Sequence, residues 1–173
     1  MIDILSKAER SALMGRIRGA DTTPERIVRR FLHRSGFRYR LHPRDLPGRP
    51  DIVLPKLRTV IFVHGCFWHR HRGCRKATTP STRRAFWQAK FKTNVERDLR
   101  KANELEAQGW RTITVWECEV TDANLARLVA KLRKRAKMNA KSSSRRQSGA
   151  RDLASPNIGR GPSGKPARRT TGS

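Results

Sequence analysis

The sequence predicts a mixed α/β fold with a central sheet flanked by helices, and three observations carry the prediction. A run of β-branched and aromatic residues, Thr59-Val60-Ile61-Phe62-Val63, marks a buried strand. A stretch from about Arg83 to Ala107 places Phe91, Val95, Leu99, Ala102 and Leu105 three or four residues apart, the helical period. A chain of 173 residues suits one domain with a modest core.

The elements follow in order. Thr22-Thr23-Pro24-Glu25 reads as a helix start: a hydroxyl cap, proline in the first turn and an acid at the positive end. Ile27, Val28, Phe31 and Leu32 form the apolar stripe of that helix, and Gly36 ends it. Residues 37–42, 51–54 and 59–64 read as short strands, the last two joined as a hairpin through Lys56-Leu57-Arg58. Pro50 is expected to hold Arg49 extended and so help fix Asp51. After the long helix, stopped by Gly109, come a strand over 111–117 and a final helix over 122–136, begun at the Thr121-Asp122 cap. The order is α, β, β, β, α, β, α, without an internal repeat.

Charge narrows the partner. The 40 Lys and Arg against 14 acids give a formal +26, a surface that repels itself and attracts polyanions. From Lys131 onward there are 13 basic residues against the single acid Asp152; residues 1–130 therefore hold 27 basic and 13 acidic residues, a net +14. The basic character belongs to the folded part as well as to the tail. An anionic membrane surface would answer the same charge, yet no apolar run approaches the ~18 residues of a spanning helix. No signal-peptide pattern opens the chain, so the expected location is cytoplasmic and nucleoid-associated. The expected boundary lies at 137/138: a domain over 1–137, then a Lys/Arg/Ser/Gly/Pro-rich tail over 138–173 with too little apolar surface to order itself. That tail reads either as an inert solvated extension or as a nonspecific tether to DNA.

Three groups of residues could carry chemistry. Asp51 opens a strand, where a carboxylate could hold a divalent cation beside a phosphate, or could simply cap a turn or pair with an arginine. His64 and His69 fall near the far end of the hairpin, and neutral imidazole is the usual base near neutral pH. Cys66, Cys74 and Cys118 are an odd set for a disulfide framework; with His69 or His71 they make a three-thiolate, one-imidazole set suited to structural zinc, or they are inert buried thiols. The pairs Phe67-Trp68 and Phe86-Trp87, each next to a basic stretch, are either core residues or flat wedges for insertion between base steps.

Taken together, the residues resemble the very-short-patch-repair (Vsr) mismatch endonucleases. The matching blocks are Arg10-Ser11-x-x-Met14, Leu46-Pro47-Gly48-Arg49-Pro50-Asp51, Val60 through His69, Phe86-Trp87-x-x-Lys90-x-x-x-Asn94-x-x-Arg97-Asp98, and Gly109-Trp110-Arg111-x-x-x-Val115-Trp116-Glu117-Cys118. They cover roughly residues 6–120 in the expected order. The resemblance implies a restriction-endonuclease-like core of the PD-(D/E)xK type with a structural zinc site. It implies Mg2+ held by Asp51 and the backbone carbonyl of Val63, with His64 and His69 catalytic and Glu25 supporting the metal through water. It assigns Zn2+ to Cys66, His71, Cys74 and Cys118, intercalation to Phe67, Trp68 and Trp87, and a minor-groove clamp to the segment around Met14 and Ile17.

The implied activity is a nick in double-stranded DNA 5′ of the thymine of a T:G mismatch left by 5-methylcytosine deamination. A cytosine-5 methyltransferase, a polymerase and a ligase are the implied functional partners, and a monomer suits the asymmetric substrate. Two departures stand out: Val63 where the family pattern has threonine, and Arg70, Arg72 and Gly73 in a zinc loop that is one residue longer and poorer in histidine.

Overall fold

A computed structural model describes the backbone of residues 19–151 and the side chains of 19–140. Met14 and Ile17 lie outside the described residues. The first helix, α1 (Thr23–Arg34), begins as its sequence dictates. Thr22 and Glu25 form a reciprocal capping box, which satisfies amide donors that have no partner inside the helix. Val28 and Leu32 are fully buried, while Ile27 stays 42 % exposed at the edge of the stripe.

The sheet has three strands, β1 (Ile52–Leu54), β2 (Thr59–His64) and β3 (Arg111–Trp116), in the order β1-β2-β3. The hairpin is antiparallel, with Ile52 opposite Ile61 and Leu54 opposite Thr59. Its connection is a 3-10 turn over Pro55–Leu57, closed by Arg58 at φ 47°. β2 pairs in parallel with β3, Thr59 opposite Arg111 and His64 opposite Trp116. The crossover between them is α2 (Cys66–His69), a basic loop and the long α3 (Arg84–Ala107). The last helix, α4 (Asp122–Arg151), follows β3 after a 3-10 turn over Glu117–Glu119.

Strand alternation divides the core between the two faces of the sheet. On one face Ile52, Leu54, Ile61 and Val115 pack with Val28 and Leu32 of α1 and with Leu125, Leu128, Val129 and Leu132 of α4. On the other, Val53 and Val60 pack with Leu105 of α3, flanked by Leu46, Phe62 and Trp110. Helices on both faces make a three-layer arrangement around a mixed sheet.

Four expectations are corrected. Residues 37–42 form no strand; only Arg40 bridges to Val53, through a single pair of backbone hydrogen bonds that joins this segment to β1. Arg49 is not extended but has φ 48°, since its amide closes a turn onto Leu46 and that turn overrides the preference before proline. Leu99 is 61 % exposed; the inward face of α3 is instead Trp87, Phe91, Asn94, Asp98 and Leu105, partly polar because it lines a site. The final helix does not stop near 136 but continues to Arg151. The chain falls into two units meeting between Met138 and Asn139.

Leu32 has no exposed surface and sits in the larger core. Leu32→Ala is expected to lower unfolding free energy by about 2–5 kcal/mol, the range for emptying a packed leucine site. Urea unfolding followed by tryptophan fluorescence measures it, and a loss below about 1 kcal/mol would mean that α1 does not complete this core.

Candidate active site and cysteine cluster

Three groups converge on one end of the sheet, where β1 begins and β2 and β3 finish. The first surrounds Asp51. Its Oδ2 accepts a hydrogen bond from the Val63 amide at 2.7 Å, so the carboxylate is fixed to the residue at the end of the neighbouring strand. Its Oδ1 lies 3.7 Å from Nδ1 of His42. Burial pushes the Asp51 carboxyl up to about 6; the Val63 hydrogen bond opposes the rise and the charge of Glu25 adds to it. Glu25, only 3 % exposed, accepts from Nη2 of Arg29 at 2.6 Å. Arg29 also pairs with Asp21, and its Nη2 lies 2.6 Å from Nε2 of His42. Sequence reasoning passed over Arg29 and His42. The available signal was slight: an arginine one turn after Glu25 and a histidine in a loop.

The second group is a histidine pair on an acid. His64 and His69 stack with ring centroids 3.8 Å apart and planes 10° from parallel. Nδ1 of His69 is 2.5 Å from Oδ2 of Asp98, supplied by α3. With the Nδ1 proton held by that carboxylate, the other ring nitrogen of His69 is left to accept a proton. Asp98 sits below the usual carboxylate range: burial raises it, and the hydrogen bond and charge of His69 outweigh the burial. Burial, then the adjacent His69, hold His64 down to about 4, which keeps it uncharged at neutral pH.

The third group is the cysteine cluster. Ligand atoms of Cys66, His71, Cys74 and Cys118 all lie within 4.8 Å of one another. Nδ1 of His71 is 3.5 Å from the Cys66 sulfur and 3.2 Å from that of Cys118. Thus His71, not His69, joins the thiols, and its ring lies flat on Trp116 at 4.3 Å. Burial pushes the Cys66 thiol up to about 12 and raises Cys118 too, whereas the backbone hydrogen bond from Lys76 draws Cys74 down. Tetrahedral zinc with bonds of about 2.0–2.3 Å brings its ligand atoms within roughly 4 Å of one another, and three sulfurs with one imidazole nitrogen are its preferred donors. The donor set and its compactness fit that ion, whose charge would also favour the thiolates.

The aromatic residues form a single group beside the histidines. Phe67 touches Trp68, Trp87 and Phe91 with ring centroids 5.0–5.5 Å apart. Phe67 and Trp68 are half-buried on α2, Trp87 is buried against Phe91, and Phe86 is 49 % exposed. Asn94 of α3 donates to the Trp68 carbonyl at 3.1 Å, tying the short α2 to the long helix. The departure Arg70 places its guanidinium 4.5 Å over Phe91 and donates to the Thr78 carbonyl and the Thr79 hydroxyl, bracing the loop.

Comparison with known proteins gives a consistent result. Residues 2–76 match the family model described as DNA mismatch endonuclease Vsr. The chain is 50 % identical over 133 residues to the type II nicking enzyme V.XorIIP of Xanthomonas oryzae, a span covering 77 % of this chain and 96 % of that one. It is 45 % identical over 118 residues to the DNA mismatch endonuclease Vsr of Escherichia coli, covering 68 % and 75 % respectively. Among solved structures it is similar to the catalytic domain of the homing endonuclease I-Bth0305I, at 22 % identity and a TM-score of 0.45 over 69 % of this chain and 98 % of that one.

The His64 environment gives a pH-dependent stability. Its folded value of about 4 lies below the ordinary 6.5, so the unfolded chain takes up the proton first and stability drops as pH falls from about 6.5 towards 4. Asp51, raised to about 6 from 3.8, has the opposite sign over much of that window. The contribution of His64 is therefore isolated by difference: urea stability of the native chain is expected to fall more steeply than that of His64→Gln between pH 7 and 4.5. Parallel curves for the two proteins would show that the ring is not held uncharged.

Proposed function

The chain belongs to the Vsr family of DNA endonucleases, and from that premise we propose that it nicks one strand of duplex DNA 5′ of the thymine in a T:G mismatch. The observation that supports this most is the placement, at one end of the sheet, of an amide-anchored carboxylate, Asp51, and a stacked histidine pair backed by Asp98. Such a pairing of an oxygen-rich cation site with a general base is what phosphodiester hydrolysis needs. Asp51 and the carbonyl of Val63 would hold Mg2+, and the buried, mutually repelling Asp51 and Glu25 are hard oxygen donors whose charge such a cation relieves. When bound, that ion would polarise the phosphoryl oxygen and offset developing negative charge.

The remaining work falls to this chain's own side chains. His69, oriented by Asp98, takes a proton from the attacking water. His64, stacked on His69 and uncharged, holds that ring in place and spares it a second positive charge. In-line attack leaves a 5′-phosphate at the nick. Phe67 and Trp68, braced by Trp87, Phe91 and Arg70, insert where stacking is already weak; a mismatched step is less costly to open. Cys66, His71, Cys74 and Cys118 would hold a structural Zn2+ that closes the loop after β2 onto the end of β3. The high positive charge supports a duplex DNA partner, and no helix among the described residues is long and apolar enough to cross a membrane. A polymerase and a ligase would complete the repair, and the lesion would arise where a cytosine-5 methyltransferase has acted.

The test is cleavage of matched duplexes carrying T:G or C:G, with Mg2+ or EDTA. Mg2+-dependent cleavage of the thymine strand alone is expected. Equal cleavage of both duplexes would replace mismatch repair with restriction of paired sites. Asp51→Ala is expected to lower nicking at least about a hundredfold with mismatch binding retained, within the range for lost metal or acid–base groups. Turnover unchanged in that variant would remove Asp51 from the metal site.

Cys74→Ala is expected to lose bound zinc and to unfold at lower urea concentration, because metal binding and folding share one free energy. Elemental analysis of the purified chain checks this directly, since a folded wild type without stoichiometric zinc would end the assignment.

A further inference from the structure

Arg29 is the one arginine among the described residues whose guanidinium is buried amid acids and a histidine. Its Nη1 pairs with Asp21, and the two hydrogens of Nη2 have two partners, Oε2 of Glu25 and Nε2 of His42, each 2.6 Å away. Its Nε is buried without a partner, so the group is held by its two outer nitrogens. The Tyr39 hydroxyl donates to the Arg29 carbonyl at 3.1 Å and anchors the backbone at the same place.

The chemistry of these contacts settles a tautomer. A guanidinium has donors and no acceptor, so His42 Nε2 must receive the hydrogen bond and carries no proton. The ring proton is then on Nδ1, and Nδ1 is the atom 3.7 Å from Oδ1 of Asp51. That separation is too long for a hydrogen bond and short enough for the N–H dipole to act on the carboxylate. The other oxygen of Asp51 is already taken by the Val63 amide. His42 is therefore the neighbour that addresses Oδ1, and it does so from a backbone with φ 43°, a conformation that a residue other than glycine adopts at some cost.

We propose that Arg29 and His42 are positioning residues for the reaction: Arg29 fixes His42 with its proton on Nδ1, facing Asp51, while the same guanidinium nitrogen holds Glu25 in place. A proton on Nε2 would point at the guanidinium and turn a lone pair of Nδ1 onto the Asp51 oxygen, repelling it. Outer partners of this kind set how a metal-binding carboxylate is oriented, and losing one costs about 10–100-fold in affinity or activity. The inference rests on the proposed nuclease reading for its consequence, but not for the tautomer itself.

The experiment uses the zinc-loaded full chain with 15N-labelled histidine, and long-range proton–nitrogen correlation spectra at neutral pH. The chain has 5 histidines, and His42→Asn identifies the resonances of His42 by their loss. The expected wild-type pattern is a protonated Nδ1 and a bare Nε2, relaxing towards the Nε2–H form in Arg29→Met and partly restored in Arg29→Lys. An Nε2–H or doubly protonated His42 in the wild type would overturn the proposal even if neither Arg29 variant folds. In nicking assays His42→Leu is expected to lower kcat about 10–100-fold with KM for the mismatched duplex little changed. A raised KM with intact kcat would likewise overturn it. The expected tautomer in a chain that nicks no duplex would sink the nuclease reading and leave the Arg29–His42 geometry standing.

Discussion

The hydrogen bond from the Val63 amide to Asp51 joins the fold to the chemistry. β2 is bonded along both edges, antiparallel to β1 and parallel to β3, so its backbone is fixed by neighbours on each side. One amide at its end is spent on a side chain instead of on a strand. That choice ends the β1 pairing and immobilises a carboxylate where the strand stops. The two core clusters hold the sheet from both faces, and much of the site hangs from that one end: Asp51 before β1, His64 closing β2, Trp116 closing β3 and Cys118 after it.

The groups around Asp51 and around His69 are supplied by elements far apart in sequence, yet each contains its own compensation. Buried Glu25 is matched by Arg29, and His69 by Asp98. A buried charge without such a partner would shift its protonation state or destabilise the fold. Asp51 is the member whose compensation is incomplete: burial and the charge of Glu25 outweigh the Val63 amide together with the nearby His42 and Arg29. In the proposed reaction that residual demand for positive charge would be met by a cation.

Much of this was legible in the sequence, and what was missed has a common physical reason. The Thr22 cap, the hairpin, the β3 strand and the limits of α3 follow from local rules, which depend on residues a few positions apart. The inward face of α3 was misread at Leu99 because a purely apolar stripe was expected, whereas the true stripe includes Asn94 and Asp98. A polar residue faces inward only when something distant needs it, here the Trp68 carbonyl and the His69 ring. Arg49 and the segment 37–42 went wrong for a similar reason, since a turn hydrogen bond and a lone bridge are decided by tertiary fit. Spacing left His69 and His71 equivalent as partners for the cysteines. The family resemblance named His71, and the fold separates the two, sending one ring to Asp98 and the other to the thiols.

Glu25 serves two structures at once. One oxygen receives the Thr22 amide and hydroxyl that begin α1, and the other receives the Asp21 amide and Arg29. The first turn of a helix is where fraying begins, and local openings there occur far more often than global unfolding. Each time this turn opens, the carboxylate leaves its partners and Arg29 loses one of its two acids. Heat or mild denaturant would therefore loosen the Glu25–Arg29 corner at one helix end before the sheet and its two cores come apart.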